Sequence, residues 1–134
     1  MIKDIQIPTV VNVTIAVARK RTIGESEEWL VYLINKNEHP IENTLVASSG
    51  QGEQNGQQQK TSILRHYLQT VQPKSAALIE PIDKSLFHLA NEFWVSYYIG
   101  NTIFDKRFVF VPETICEANL TYVKELDMEA VLHS

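Results

Sequence analysis

The side chains that could perform chemistry are few: one cysteine, Cys116, and four histidines, His39, His66, His88 and His133. Cys116 with one of the histidines would be a nucleophile and its base. Activating a thiolate takes a helix N-terminus or a cationic neighbour, and an oxyanion hole must follow. Nothing in the sequence beside Cys116 suggests either, so it reads as a small buried apolar residue. The histidines lack ligand spacing of the His-Glu-x-x-His kind, and a metal site would have to assemble across strands. His66, between Arg65 and Tyr67, reads as a half-exposed strand residue. Gly50-x-Gly52-x-x-x-Gly56 suggests a phosphate cradle but lacks the Gly-Lys-Ser/Thr ending, a following helix and any positive charge; Glu53 would repel a phosphate. The acids never take the rhythm of a calcium loop, and Glu113, Glu117, Glu125, Asp127 and Glu129 read as solvated faces. This inventory implies no catalytic, metal or cofactor-binding residue, and the expectation is a protein that is not an enzyme.

One group of residues stands out as a candidate binding face. Glu92 to Val111 holds two β-rich runs around Gly100-Asn101, a tight-turn pair. A two-residue loop sets Ile99 opposite Thr102, Tyr97 opposite Phe104, Val95 opposite Lys106 and Phe93 opposite Phe108. Because side chains alternate along a strand, Phe93, Val95, Tyr97, Ile99, Phe104, Phe108 and Phe110 share one face, interrupted by Lys106. That face is a core wall. The other carries Trp94, Ser96, Tyr98, Ile103, Asp105, Arg107 and Val109. There a Trp94–Arg107 stack and a Ser96–Asp105 hydrogen bond would be ordinary cross-strand pairs. Exposed aromatics on a flat sheet also make a platform, so Trp94, Tyr98 and Arg107 are the candidate binding residues.

The elements that must position this hairpin are read in chain order. Val11, Val13, Ile15 and Val17 alternate with Asn12, Thr14, Ala16 and Ala18, a half-buried strand. Thr22 to Glu28 is a polar turn. Trp29 to Ile34 is apolar on both faces, as in a central strand whose outer face is partly covered. After a turn at Asn35 to Pro40, Ile41, Leu45 and Ala47 alternate with Glu42, Thr44 and Ser48. Gly50 to Gln59 is low in complexity and reads as an exposed loop. Thr61 to Val71 and Ala76 to Glu80 are further strands. Asp83 caps one or two helical turns that place Leu86 and Leu89 under the sheet edge. After Pro112 the pattern fades, with a short helix expected from Asp127 to Leu132.

Bulk properties narrow the class. The chain has 134 residues, 44% of them apolar and 21% charged, which suits one globular domain with a sizeable core. A net charge of −4 argues against a nucleic-acid surface. The run Val10 to Ala18, broken by Asn12 and Thr14 and preceded by Lys3, Asp4 and Pro8, makes a poor signal-peptide core and is too short to span a bilayer. A single cysteine leaves no intramolecular disulfide. The expected location is the cytoplasm, with no membrane association.

Four stretches carry a resemblance: Trp29-Leu-Val-Tyr-Leu-Ile-Asn35, Lys60-Thr-Ser-Ile-Leu-Arg-His66, Asn91-Glu-Phe-Trp94 and Lys106-Arg-Phe-Val-Phe-Val-Pro112. With them the chain resembles a family of small uncharacterised bacterial β-sandwich proteins, some labelled phenylalanyl-tRNA synthetase alpha subunit. A class II synthetase catalytic domain is much longer and holds ATP with a Phe-Arg-x-Glu motif and a Gly-rich motif ending in arginine. The arginines here are Arg19, Arg21, Arg65 and Arg107, none in either motif. No synthetase residue carries over.

The expected fold is an all-β, two-sheet antiparallel sandwich of immunoglobulin-like architecture, with seven or eight strands and a short helical turn. It forms one domain over 1–134, with 112–134 an irregular tail packed on it. The expected function is contact with another protein or with a second copy. The alternatives are a small-ligand module or cryptic enzyme, using the Trp94, Tyr98, Arg107 face or a cleft near Gly50 to Gln59. An aminoacylation-related role is a third reading, suggested by the label alone.

Overall fold

The computed structural model describes residues 8–24 and 26–134. Lys3, Asp4 and Glu25 lie outside the described residues. The strands are β1 (Val13–Lys20), β2 (Glu28–Asn35), β3 (Ile41–Gln54), β4 (Gln57–Lys60), β5 (Leu64–Val71), β6 (Ser75–Pro81), β7 (Ala90–Ile99), β8 (Thr102–Phe110), β9 (Thr121–Val123) and β10 (Met128–His133). They form two antiparallel sheets, as the alternation requires. The first has the order β6-β2-β1-β10-β9. In the second, β3 is flanked on one side by β7 and then β8. The first half of β3 also pairs with β5 and its second half with β4.

The core lies between the sheets. Val13, Ile15, Val17, Val31 and Leu33 from the first sheet meet Val46, Phe93, Val95, Tyr97, Phe108 and Phe110 from the second. Phe93 and Phe110 pack edge to face at 5.9 Å, and Tyr97 stacks on Phe104 at 5.3 Å. The β7–β8 register is the one expected from a two-residue loop, from Ile99 opposite Thr102 to Phe93 opposite Phe108. Gly100 takes φ +59°, the positive value that a type II′ turn needs at its first central residue. Lys106, the interruption in the apolar wall, holds its ammonium 4.9 Å from the centre of the Phe108 ring. A lysine stem can cover apolar surface while its charge stays on an aromatic face.

β2 is interior to its sheet, between β1 and β6. The outer face is covered as well: Ala16, Ala18, Ile34, Val123 and Ala130 form a second buried cluster. β1 is therefore buried on both faces along Val13 to Arg19, rather than on one as its alternating sequence suggested. The Asp83 cap is present. Its carboxylate accepts a 2.8 Å bond from the Ser85 amide at the start of the single 3-10 turn Lys84–Leu86. That bond holds the Asp83 carboxyl below its ordinary range.

Two expectations are corrected. Residues 112–134 are not simply an irregular tail, and no helix covers Asp127 to Leu132. Met128–His133 is a strand that pairs with β1 from Ile15/His133 to Arg19/Glu129. Met, Glu, Ala and Leu favour helix, but that preference is worth only a few tenths of a kcal/mol per residue. Here it yields to a ladder that buries Val131 inward and Ala130 outward. Gly50 to Gln59 is likewise not a loop. It is a β3–β4 hairpin closed by Asn55 and Gly56, both at positive φ, with Gln54 opposite Gln57. Gln58 bonds Glu53 and Gln59 bonds Gln54, each at 2.9 Å. A Cβ on Gly52 would lie 3.2 Å from a Leu89 methyl, so glycine there lets the Leu89 segment pack on β3.

Candidate functional site

The outer face of the second sheet is where the hairpin's second face lies. Trp94 stands opposite Arg107, Ser96 opposite Asp105 and Tyr98 opposite Ile103. β3 and β5 extend the same face, with Ala47 beside Trp94, Leu45 beside Ser96, and Tyr67 beside Leu45. Five large apolar side chains are exposed there: Leu45, Tyr67, Trp94, Tyr98 and Ile103. Trp94, 48% exposed, is the most telling, because tryptophan is normally well buried. Beside it runs a shallow groove of about 340 Å³ lined by Leu45, Ala47, Arg65, Tyr67, Trp94 and Ser96.

The three expected binding residues share this face but do not converge. Trp94 lines the groove, whereas Tyr98 and Arg107 lie outside it. Arg107 does not make its ion pair across the Trp94 ring; its Nε donates to Glu92 Oε1 at 2.6 Å. Ser96 and Asp105 face each other in register, with no hydrogen bond between their side chains among the described residues. The groove partners Tyr67 and Leu45 lie 27 and 49 residues before Trp94 in sequence. Sequence alternation placed Leu45 and Ala47 with Ile41 on the apolar face. Register shifts between Glu42 and Leu45 turn Leu45 and Ala47 outward, and only the β3–β5 pairing brings Tyr67 beside Leu45.

A second constellation lies on the opposite face of β5. Glu80 on β6 crosses from the first sheet to the second. Its Oε1 accepts from the Ser48 hydroxyl at 2.5 Å and bonds His66 Nε2 at 2.8 Å. Both sheets are tied together at this edge. Serine, histidine and a carboxylate meet here in an order unlike that of a hydrolytic triad. In such a triad the imidazole takes the hydroxyl's proton; here the hydroxyl and the imidazole share one carboxylate oxygen. The arrangement is suited to holding a charge in place. Sequence reading treated His66 as a half-exposed strand residue and did not foresee Ser48 or Glu80. Alternation had set Ser48 on the polar face of β3 with Glu42 and Thr44, and the register shifts ahead of Leu45 turn Thr44 and Ser48 inward.

Beside Glu80 the gap between the sheets opens into a cavity of about 220 Å³, lined by Ser48, Thr61, Leu64, Ile82, Leu86 and Phe93 among others. It continues past Leu64, Glu80, Ile82 and Leu86 into a groove walled by Trp29, Glu27, Glu28, Asp83 and Lys84. Lys84 is committed to Glu27 at 2.6 Å, and its ammonium lowers the Glu27 carboxyl pKa.

The remaining candidates are dispersed. Cys116 begins the 3-10 turn Glu117–Asn119, where its carbonyl accepts from the Asn119 amide. His88 bonds Gln59 at 2.6 Å, and His133 packs its ring edge to face on Phe108 and Phe110. No three of the His, Cys, Asp and Glu side chains among the described residues gather as a metal-binding group. The same residues include no helix long and apolar enough to cross a membrane. Compared with family models, curated proteins and solved structures, the chain matches none.

Proposed function

We propose that this chain works by contact with another protein, seated on the outer face of the second sheet. The observation that carries the reading is the run of exposed Leu45, Tyr67, Trp94, Tyr98 and Ile103 across four neighbouring strands. At a strand spacing of about 4.8 Å and a rise of about 3.3 Å per residue, four strands over five residues give the platform a footprint of about 320 Å², polar Ser96 and Asp105 included. The largest apolar patch on a typical monomer is about 300–600 Å² and is often functional. Tyrosine, tryptophan and arginine are also the residues that most often dominate binding energy at protein interfaces. A second copy of the chain is the simplest partner, because a sheet face can pair with itself about a two-fold axis.

The charge distribution supports a protein partner over a nucleic acid. The net charge is −4. Arg19, Arg21, Lys74, Lys84 and Arg107 are each engaged by glutamates. We place the protein in the cytoplasm and assign it no reaction. Its kinship with small bacterial sandwich proteins belongs to the same proposal, and the synthetase label contributes no residue to it.

The test is sedimentation velocity over a wide concentration range, with affinity capture from cells in parallel, for the parent and for Leu45→Ser/Trp94→Ser. The parent should self-associate or retain a partner, and the double variant, with unchanged circular dichroism, should lose this by at least tenfold. A folded double variant that sediments and captures like the parent rules the face out.

A further inference from the structure

The cleft between β5 and β6 is separate from the outer platform and has a different chemistry. Glu80 is the charged group nearest the cavity, with its side chain only 12% exposed. An ionised carboxylate so far out of water needs a compensating charge or several donors. Among the described residues, Glu80 has no lysine or arginine within ion-pair distance; its partners are the Ser48 hydroxyl and the His66 imidazole, both on Oε1. Its second oxygen accepts no side-chain hydrogen bond from these residues. That oxygen has unused capacity for a donor, preferably a cationic one.

The surroundings favour a cation with an apolar body. Leu64, Ile82, Leu86 and Phe93 supply hydrocarbon walls to the inner cavity. The outer groove adds the Trp29 indole and three further carboxylates, Glu27, Glu28 and Asp83; the cations at hand, Lys84 and Arg21, are both held by Glu27, which leaves Glu28, Asp83 and Glu80 in excess. Such an excess of negative charge at a low-dielectric cleft draws in and concentrates cations. An aromatic wall adds attraction for an ammonium group. Trp29 is 5% exposed, and its Nε1 closes no hydrogen bond at full bonding distance; the Glu27 carboxylate, whose pKa it helps Lys84 to lower, is its nearby acceptor. A ligand oxygen within reach would complete that under-satisfied N–H.

We propose that this inter-sheet cleft is a binding site for a small organic amine that carries an apolar body and an oxygen acceptor. The ammonium pairs with Glu80, and the body lies between Leu64, Leu86 and Phe93. The oxygen faces the Trp29 side of the groove. The ligand enters between the edge strands of the two sheets, where Leu64 is half exposed.

The test uses three probes of the same shape on the ¹⁵N-labelled parent at pH 7.5: 2-phenoxyethylamine (cation), 2-phenoxyethanol (neutral) and phenoxyacetate (anion). The amine should shift the amides of Ser48, Leu64, Glu80, Leu86 and Phe93 with a dissociation constant on the order of 1 mM, as expected for so small a ligand. The alcohol should bind at least tenfold more weakly and the anion not measurably. Glu80→Gln, near-isosteric and neutral, should cost the amine at least tenfold. Equal binding of all three probes, shifts confined to other surfaces, or no saturable shift with the amine would each overturn the proposal. The charge series needs no variant, so it stands even if Glu80→Gln does not fold. Unchanged amine affinity in a folded Glu80→Gln protein would overturn it as well.

Discussion

Asn35→Ala removes the most heavily bonded buried side chain among the described residues. Asn35 ends β2 and is fully buried. Its Nδ2 donates to the carbonyls of His39 at 3.0 Å, Val71 at 3.1 Å and Gln72 at 3.2 Å. Its Oδ1 accepts from the Asn37 amide at 3.0 Å and from Asn37 Nδ2 at 2.9 Å. Asn37 Nδ2 in turn reaches the Val11 carbonyl, so the Asn35 and Asn37 side chains together link the end of β2, the end of β5 and the approach to β1. Alanine would strip the Asn37 amide of its Oδ1 acceptor and the Val71 and Gln72 carbonyls of their Nδ2 donor, at about 1–3 kcal/mol for each buried group left short. The expected loss is about 3–4 kcal/mol, a large part of the roughly 5–15 kcal/mol that holds a domain folded.

Urea unfolding followed by tryptophan fluorescence measures this, with an unchanged slope showing that the two-state comparison is fair. Asn35→Asp adds a sign. It turns the donating end into a carboxylate oxygen facing three carbonyl oxygens, which raises the carboxyl's folded pKa above its unfolded value near 3.9. The folded state then binds the proton more tightly. Stability is greatest below about pH 4 and falls by up to about 1.4 kcal/mol per pH unit as the pH rises towards the folded value. A loss under about 1 kcal/mol for Asn35→Ala, or an Asn35→Asp variant no less stable than the alanine one at pH 7, would show that this network does not hold the strand ends together.

Two more perturbations follow from buried groups. Tyr97 is almost fully buried, and burial pushes its phenol up to about 12 from an ordinary 10.0. Its neutral form is thus favoured by folding. The stability linked to Tyr97 is complete below pH 10 and is lost as the pH rises towards 12, by up to about 1.4 kcal/mol per pH unit. Tyr97→Phe should remove that part of the alkaline slope in urea midpoints measured from pH 9 to 12; parallel pH curves for parent and variant would contradict it. Thr44, fully buried at the bulge where β3 and β5 shift register, has a hydroxyl with no partner among the described residues. Thr44→Val keeps the shape and removes the unpaired oxygen, so thermal and urea unfolding should show a gain of about 1 kcal/mol. Destabilisation by that amount would mean the hydroxyl is satisfied in solution.

The sequence by itself determined which residues alternate, and with that the two-sheet class, the register of the β7–β8 hairpin and the membership of its two faces. These are local properties: a period of two and a Gly-Asn turn bind neighbours in sequence, and burying Phe93, Tyr97, Phe104 and Phe108 leaves only one side for Trp94 and Tyr98. Long-range pairing was beyond it. Met128–His133 has helix-forming residues and becomes a strand because β1 offers an open ladder and two apolar layers, which outweigh intrinsic preference. Gly50 to Gln59 is too polar to bury itself, yet it orders as a hairpin because β3 runs on from a core-anchored half and Asn55-Gly56 supplies the turn. Leu45 and Tyr67 reach the Trp94 groove, and Ser48, His66 and Glu80 reach one another, only through pairings between segments far apart in the chain. Alternation says which way a side chain points only until a bulge intervenes, as it does in β3 before Leu45. Only the packed sheets say what it meets.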